Sequence, residues 1–139
     1  MDKSLLDTDT FSQVLRRYSP AIVFRTAAYL TEFEQLTISA ITVTEIVKGW
    51  QKRQREDRIQ QFISDLQAVE ILYLSLDTHI LVGRILADLE RSGQPIGFAD
   101  TAIAAIALQN NLTLVTGNLN HYQRILELGH PLKLDTWKT

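Results

Sequence analysis

Apolar positions change their period repeatedly along the chain. Ser4-Leu5-Leu6-Asp7 is a short, mostly apolar run that predicts a strand, and from Phe11 through Val14 and Leu15 the spacing becomes helical. Ser19-Pro20 has the form of an N-cap followed by proline at the first helical position, opening a helix with Ile22, Val23, Ala27 and Leu30. Leu36 to Ser39 predicts a second strand. Thr42 to about Gln54 predicts a helix, and Asp57 to Ala68 another, with Ile59, Phe62, Ile63 and Leu66 on one face. Val69 to Leu74 alternates as a strand does. Asp77 then opens a helix carrying Ile80, Leu81, Ile85, Leu86 and Leu89, which stops near Ser92-Gly93. After a loop at Pro95-Ile96-Gly97, Asp100 to Gln109 is an apolar, small-residue helix suited to close packing on a sheet. Leu112 to Thr116 is a β-branched strand bounded by Asn110-Asn111 and Gly117-Asn118. Leu119 to Leu128 predicts a short helix, and the segment Pro131 to Trp137 contains a last strand, LKLD.

Strands alternating with helices predict an α/β domain with a mainly parallel central sheet, and right-handed crossovers place helices on both its faces. In such sheets ligands collect at the carboxyl ends of the strands. Asp7 and the Gly117-Asn118 turn are both expected at that edge.

Composition narrows the chemistry. With 139 residues the chain is expected to form one domain, residues 1–139, and it has no cysteine, which excludes thiol catalysis and cysteine zinc sites. No apolar run approaches the length of a membrane span, and a soluble, cytoplasmic protein is expected. Fourteen Lys+Arg against sixteen Asp+Glu give a net charge of −2, so any contact with a nucleic acid must be local.

Four acids stand at or near changes of pattern, three of them in separate segments. Asp7 ends a strand, and Asp9, just inside the next helix, reads as its N-cap. Glu45 follows Thr42 at the spacing of a capping box, and Asp100 falls in a first helical turn, where the helix dipole favours an acid. Each has this structural reading when taken alone. Together, at one edge of a parallel sheet, they would repel, since two bare carboxylates about 4 Å apart cost about 4 kcal/mol at an effective dielectric near 20. Such a cluster needs protons or a cation, and an all-oxygen set of Asp, Glu and Asn suits Mg2+ or Mn2+ better than zinc.

The run Lys48 to Arg58 holds five basic residues, Lys48, Lys52, Arg53, Arg55 and Arg58. It reads either as a solvated helix face or as a surface that steers a phosphate backbone toward Glu45. Trp50, Phe24, Phe33 and Phe62 read as core or interface rather than as base-stacking platforms. His79 and His130 read as surface residues, and His121 lies three residues beyond Asn118 without zinc-ligand spacing to another histidine.

Two resemblances bear on the acids. Asp7-Thr8-Asp9-Thr10 resembles the D-x-D signature of haloacid-dehalogenase-type phosphatases, which implies a nucleophilic first aspartate and an acid/base second one. Phe11 departs from that family's usual Thr or Val, and its late G-D-x-x-x-D pair is absent. The other resemblance spans nearly the whole chain. LLDTDTF, TISAITVTEIVKG from Thr37 to Gly49, GQPIGFADTAIAAIA from Gly93 to Ala107, and LTLVTGNLNHYQRI from Leu112 to Ile125 are similar, in order and approximate spacing, to segments of PIN-domain ribonucleases. The small toxins of bacterial VapBC toxin–antitoxin pairs are the most similar.

This second resemblance implies a PIN-like three-layer sandwich and an Mg2+- or Mn2+-dependent endoribonuclease, restrained by a VapB-like antitoxin and commonly a homodimer. It places the family's acids at Asp7, Glu45 and Asp100, with Asn118 at a fourth position that is often Asp in relatives. Thr8 and Thr116 are supporting hydroxyls on this reading, and Lys48, Lys52 and Arg53 of the basic run are the expected RNA contacts. The alternative from another class is a non-catalytic protein-binding module on the same fold.

Overall fold

In the computed structural model, which describes residues 1–139, five three-residue strands alternate with helices. They are β1 (Ser4–Leu6), β2 (Thr37–Ser39), β3 (Glu70–Leu72), β4 (Thr113–Val115) and β5 (Lys133–Asp135). The helices are α1 (Thr8–Leu15), α2 (Pro20–Phe33), α3 (Ala40–Lys52), α4 (Glu56–Asp65), α5 (Leu76–Arg91), α6 (Phe98–Gln109) and α7 (Leu119–Glu127), with a 3-10 turn at Leu66–Ala68 after α4. The sheet order is β3-β2-β1-β4-β5 and every pairing is parallel. The expected α/β class is therefore found, with a sheet parallel throughout.

Strand alternation explains the three layers. Leu5 and Leu114 point to one face, where Ile85, Leu89, Ile103, Ile106, Tyr122 and Ile125 of α5, α6 and α7 bury them. Leu6, Ile38 and Val115 point to the other, against Phe11, Ile22, Tyr29, Phe62 and Trp137. Because both faces are covered, the central strands are apolar at successive positions, as parallel strands are. In α6 every residue from Thr101 to Ala107 is buried. Its alanines let it lie close to α5 as well as to the sheet, the close packing that its small-residue sequence predicts.

Helix starts differ from expectation in two places that matter for function. The N-cap of α1 is Asp7, whose carboxylate accepts the Thr10 N–H at 2.9 Å, while Asp9 lies exposed in the first turn. The expected cap is thus displaced by two residues, because β1 hands over to α1 with no linker. Similarly, α3 is capped by Ser39, which accepts the Thr42 N–H at 3.3 Å. Thr42 already lies inside the helix, so Glu45 is a full turn too far along to complete a capping box. A cap does not account for Glu45, whereas for Asp7 it accounts for one oxygen. Elsewhere α5 begins at Leu76 behind a Ser75 cap, and α6 begins at Phe98 behind Gly97, whose φ of 90° suits glycine.

Candidate active site

Asp7 follows β1 directly and is only 7% exposed. Its backbone N–H donates to the Val115 carbonyl at 3.0 Å, so the end of β1 is tied to the end of β4. Burial pushes its carboxyl above the usual carboxylate range, and the Thr116 hydroxyl and Thr10 N–H beside it pull the other way. Thr116 is itself buried, and its oxygen accepts the Asn118 N–H at 2.9 Å. That bond folds the Thr116-Gly117-Asn118 turn back onto the strand end. Asn118 starts α7 with an exposed side chain that makes no capping bond.

Glu45 reaches the same edge from the second turn of α3. Its Oε1 accepts a short hydrogen bond from the Thr8 hydroxyl, and the Thr8 oxygen lies 3.0 Å from that of buried Thr42. Thr8 has one proton to give, so Thr42 donates to Thr8 and Thr8 to Glu45. Two hydroxyls in series thereby hold the Glu45 carboxylate.

Asp100 comes from the first turn of α6, and its Oδ2 lies 2.8 Å from Nε2 of His121 on α7. The Asp100 side chain is 39% exposed and that of His121 21%, which places this pair at the rim. Tyr122, the next residue, is buried, and its phenol is driven well above the usual tyrosine range by burial first and then by the charges of Asp100, Asp7 and Glu45. It stays protonated as a neutral group that all three carboxylates face.

The structure therefore brings Asp7, Glu45, Asp100, Thr8, Thr116 and the Asn118 turn to one edge. In the sequence His121, three residues beyond Asn118, is at most a candidate for this neighbourhood, and nothing there singles out Tyr122. Of the basic residues, Arg53 lines a cavity beside Glu45, whereas Lys48 and Lys52 are exposed and do not line it. Phe62 is core and Phe33 packs against it, as expected, but Phe24 is 72% exposed and Trp50 forms a cavity wall. His79 is exposed and His130 half-buried.

No lysine or arginine forms an ion pair with Asp7, Glu45 or Asp100. No three His, Asp or Glu side chains are drawn together tightly enough to form a metal cage by themselves. The donor set is all carboxylate and hydroxyl oxygen with one imidazole at the rim. It fits a hard divalent ion that binds through one or two carboxylates and keeps several waters, which is how Mg2+ is usually held.

A fully parallel, doubly covered sheet that delivers carboxylates from separate elements to one edge defines an α/β domain with an acidic centre open to a cation. The family model described as PIN domain matches residues 4–125, and the chain belongs to that family. It is 30% identical over 125 residues to "Ribonuclease VapC1" of Haemophilus influenzae strain R2866, covering 89% of this chain and 92% of that one. It is 33% identical over 129 residues to the "tRNA(fMet)-specific endonuclease VapC" of Salmonella typhimurium strain LT2, covering 90% and 93%. Among solved structures, DNA-bound VapBC from Salmonella typhimurium superposes with a TM-score of 0.81 at 29% identity, covering 99% of both chains. VapBC2 from Rickettsia felis, bound to a promoter fragment, gives 0.80 at 26% identity, covering 97% of this chain and 98% of that one. Family membership removes the phosphatase reading, which rested on four residues.

Proposed function

We propose that this chain is a divalent-metal-dependent endoribonuclease that hydrolyses RNA phosphodiester bonds, and the toxin half of a pair with a VapB-like antitoxin. The observation that carries the reading is that, in a PIN domain, Asp7, Glu45 and Asp100 all act on buried Tyr122 at one end of the sheet and no lysine or arginine is paired to any of them. Asp7, Asp100 and Glu45 would hold Mg2+ or Mn2+, directly or through water, with Asn118 offering a neutral oxygen. When bound, such an ion lowers the pKa of a coordinated water and offsets charge on the phosphate.

The protein's own part is positioning. Thr116 steadies the buried Asp7 carboxyl, the Thr42–Thr8 chain fixes Glu45, and His121 orients Asp100, as outer partners of acidic ligands do. Tyr122 remains a neutral wall beneath the acids. Lys48 and Lys52 on α3 and Arg53 at its C-cap are the cations nearest in sequence to Glu45 and would attract the phosphate backbone. The relatives' names support the substrate class and the VapBC structures support the partner, while a homodimeric toxin is what the family resemblance implies.

The test is cleavage of RNA by purified protein with Mg2+ or Mn2+, with and without chelator, for the native chain and for Asp7→Asn. Metal-dependent cleavage lost in Asp7→Asn with the fold retained supports the assignment; undiminished cleavage rejects it. Co-purification with the small protein encoded beside it tests the antitoxin, and light scattering tests the dimer.

A further inference from the structure

A trough enclosed by α1, α3 and α4 opens beside Glu45. Its first part is a cavity of about 270 Å3 whose walls include Thr8, Asp9, Arg16, Glu45, Trp50 and Arg53. Beyond Trp50 it continues into a second cavity of about 120 Å3, between Arg16, Trp50 and Arg58. The floor of the first part is Gly49, where an added Cβ would meet nothing within 4 Å. A glycine inside a helix costs about 1 kcal/mol relative to alanine, and neither its backbone conformation nor packing against a neighbour requires one here. What it does provide is open floor next to an indole.

The cations are arranged to match. The guanidinium groups of Arg53 and Arg58 lie 5.2 and 5.4 Å from the centre of the Trp50 ring, and that of Arg16 lies 5.5 Å from the Tyr18 ring. None of the three pairs with a carboxylate, although Arg55, in the same basic run, is held by Asp57. In a chain of net charge −2, two unpaired arginines on the Trp50 ring and a third, Arg16, lining the same trough make its Trp50 side a local anion site, set apart from Asp9 and Glu45 in the same cavity. A guanidinium stacked on an aromatic keeps its N–H edge free for a phosphate.

We infer that this trough is a nucleotide subsite, holding one unstacked base of single-stranded RNA against Trp50 and the adjoining phosphates with Arg53, Arg58 and Arg16. This rests on the ribonuclease reading above, and it extends the substrate path from the acids along α3 to α4. The incoming base takes the place of one arginine on the indole face, and the released guanidinium turns its donors to the phosphate beside it. A duplex keeps its base faces stacked inside and cannot present one to this recess.

The test uses the full chain in chelator, so that RNA is bound but not cut, titrated with a single-stranded oligoribonucleotide and with its duplex. Trp137 is buried against Tyr29, so fluorescence quenching by RNA reports Trp50. Single strands should quench and duplex should not. Read by anisotropy of a labelled oligoribonucleotide, since the variants at Trp50 lack the reporting indole, Trp50→Ala should weaken binding about tenfold, the usual scale for losing one base–aromatic stack, and Gly49→Leu should do the same by filling the floor. Trp50→Phe should retain most of the affinity, and the Arg53→Gln/Arg58→Gln pair should flatten the salt dependence. With metal, these losses should appear in KM more than in kcat.

Native affinity and KM in both Trp50→Ala and Gly49→Leu overturn the subsite. So does equal quenching by duplex, or variants that lose only the antitoxin, which would make the trough a protein surface. If the native chain cuts no RNA under any metal but binds single strands through Trp50, the subsite stands and the ribonuclease reading falls. Normal cleavage without dependence on Trp50 has the opposite meaning.

Discussion

Two groups of carboxylates around the sheet differ in how the chain treats them. Glu70 on β3 is held at 2.8 Å by Lys3 and accepts from the Thr37 hydroxyl at 2.7 Å, and Asp135 at the end of β5 is held at 2.8 Å by Arg25. Both tie the outer strands to neighbouring elements. Asp7, Glu45 and Asp100 have only hydroxyls, a backbone N–H and one imidazole for company. Acids of the first group are completed by the chain itself. Those of the second are stabilised enough to be positioned and not enough to be satisfied, which is the condition of a group whose counter-ion arrives from outside.

The largest effect should follow from removing charge in the unpaired group. Asp7→Asn should lower metal-dependent RNA cleavage by at least about a hundredfold, a scale consistent with loss of a metal's first ligand where outer partners alone cost 10–100-fold. Asparagine is as good an N-cap as aspartate, and the substitution removes a buried charge, so the melting temperature should hold or rise at neutral pH. The sign follows from the direction of the shift. A carboxyl raised above its unfolded value destabilises the fold when ionised, and that penalty disappears as pH falls through the folded value. The gain from Asp7→Asn should therefore shrink on acidification; a Tm difference that grows instead would show Asp7 to belong with the satisfied acids.

His121 marks the boundary between the groups, being the one partner of Asp100 able to carry charge. His121→Ala should reduce cleavage about tenfold and raise the metal concentration needed for half-maximal rate. An unchanged metal requirement would make the pair structural. A smaller effect on function, with a cost in stability, is expected at Gly97. Its φ of 90° sets the start of the helix that carries Asp100, and Gly97→Ala should cost about 1 kcal/mol or more in denaturant unfolding and lower activity by displacing that turn. Activity and stability equal to those of the native chain would show that α6 is positioned without it.

Much of this was legible in the sequence, for identifiable reasons. Ser19-Pro20 and the β-branched run before Gly117 are local signals, and the helix and strand they announce are there. Asp7, Glu45 and Asp100 could be named because each stands at a change of period. Their structural roles were harder to assign, since a cap is decided by a single backbone rotation: Asp7 caps where Asp9 was expected, and Ser39 caps where Thr42 was. His121 and Tyr122 acquire their neighbours only when α7 docks beside α6, a contact between residues 21 positions apart that no local pattern announces. Trp50 likewise becomes a wall because Arg53, from the C-cap of α3, and Arg58, from α4, converge on it.

The paired group should yield the smallest effect, with the opposite response to acid. The Lys3 ammonium first, and then the Thr37 hydroxyl, hold the Glu70 carboxyl below its ordinary value of 4.5. A depressed carboxyl contributes stability that is present in full above the unfolded value and is lost as pH falls through the folded one. Both side chains are partly exposed, so the pair is screened, and Glu70→Gln should cost less than about 1 kcal/mol at neutral pH. The difference between native chain and variant should begin to narrow as pH falls below 4.5 and close as it passes through the lowered folded value, and cleavage should be unaffected. Urea unfolding at several pH values checks this against Asp7→Asn: the two variants should differ from the native chain in opposite directions at pH 7 and converge with it in acid. Should Glu70→Gln also abolish cleavage, the division between acids the chain satisfies and acids it leaves for a cation would fail.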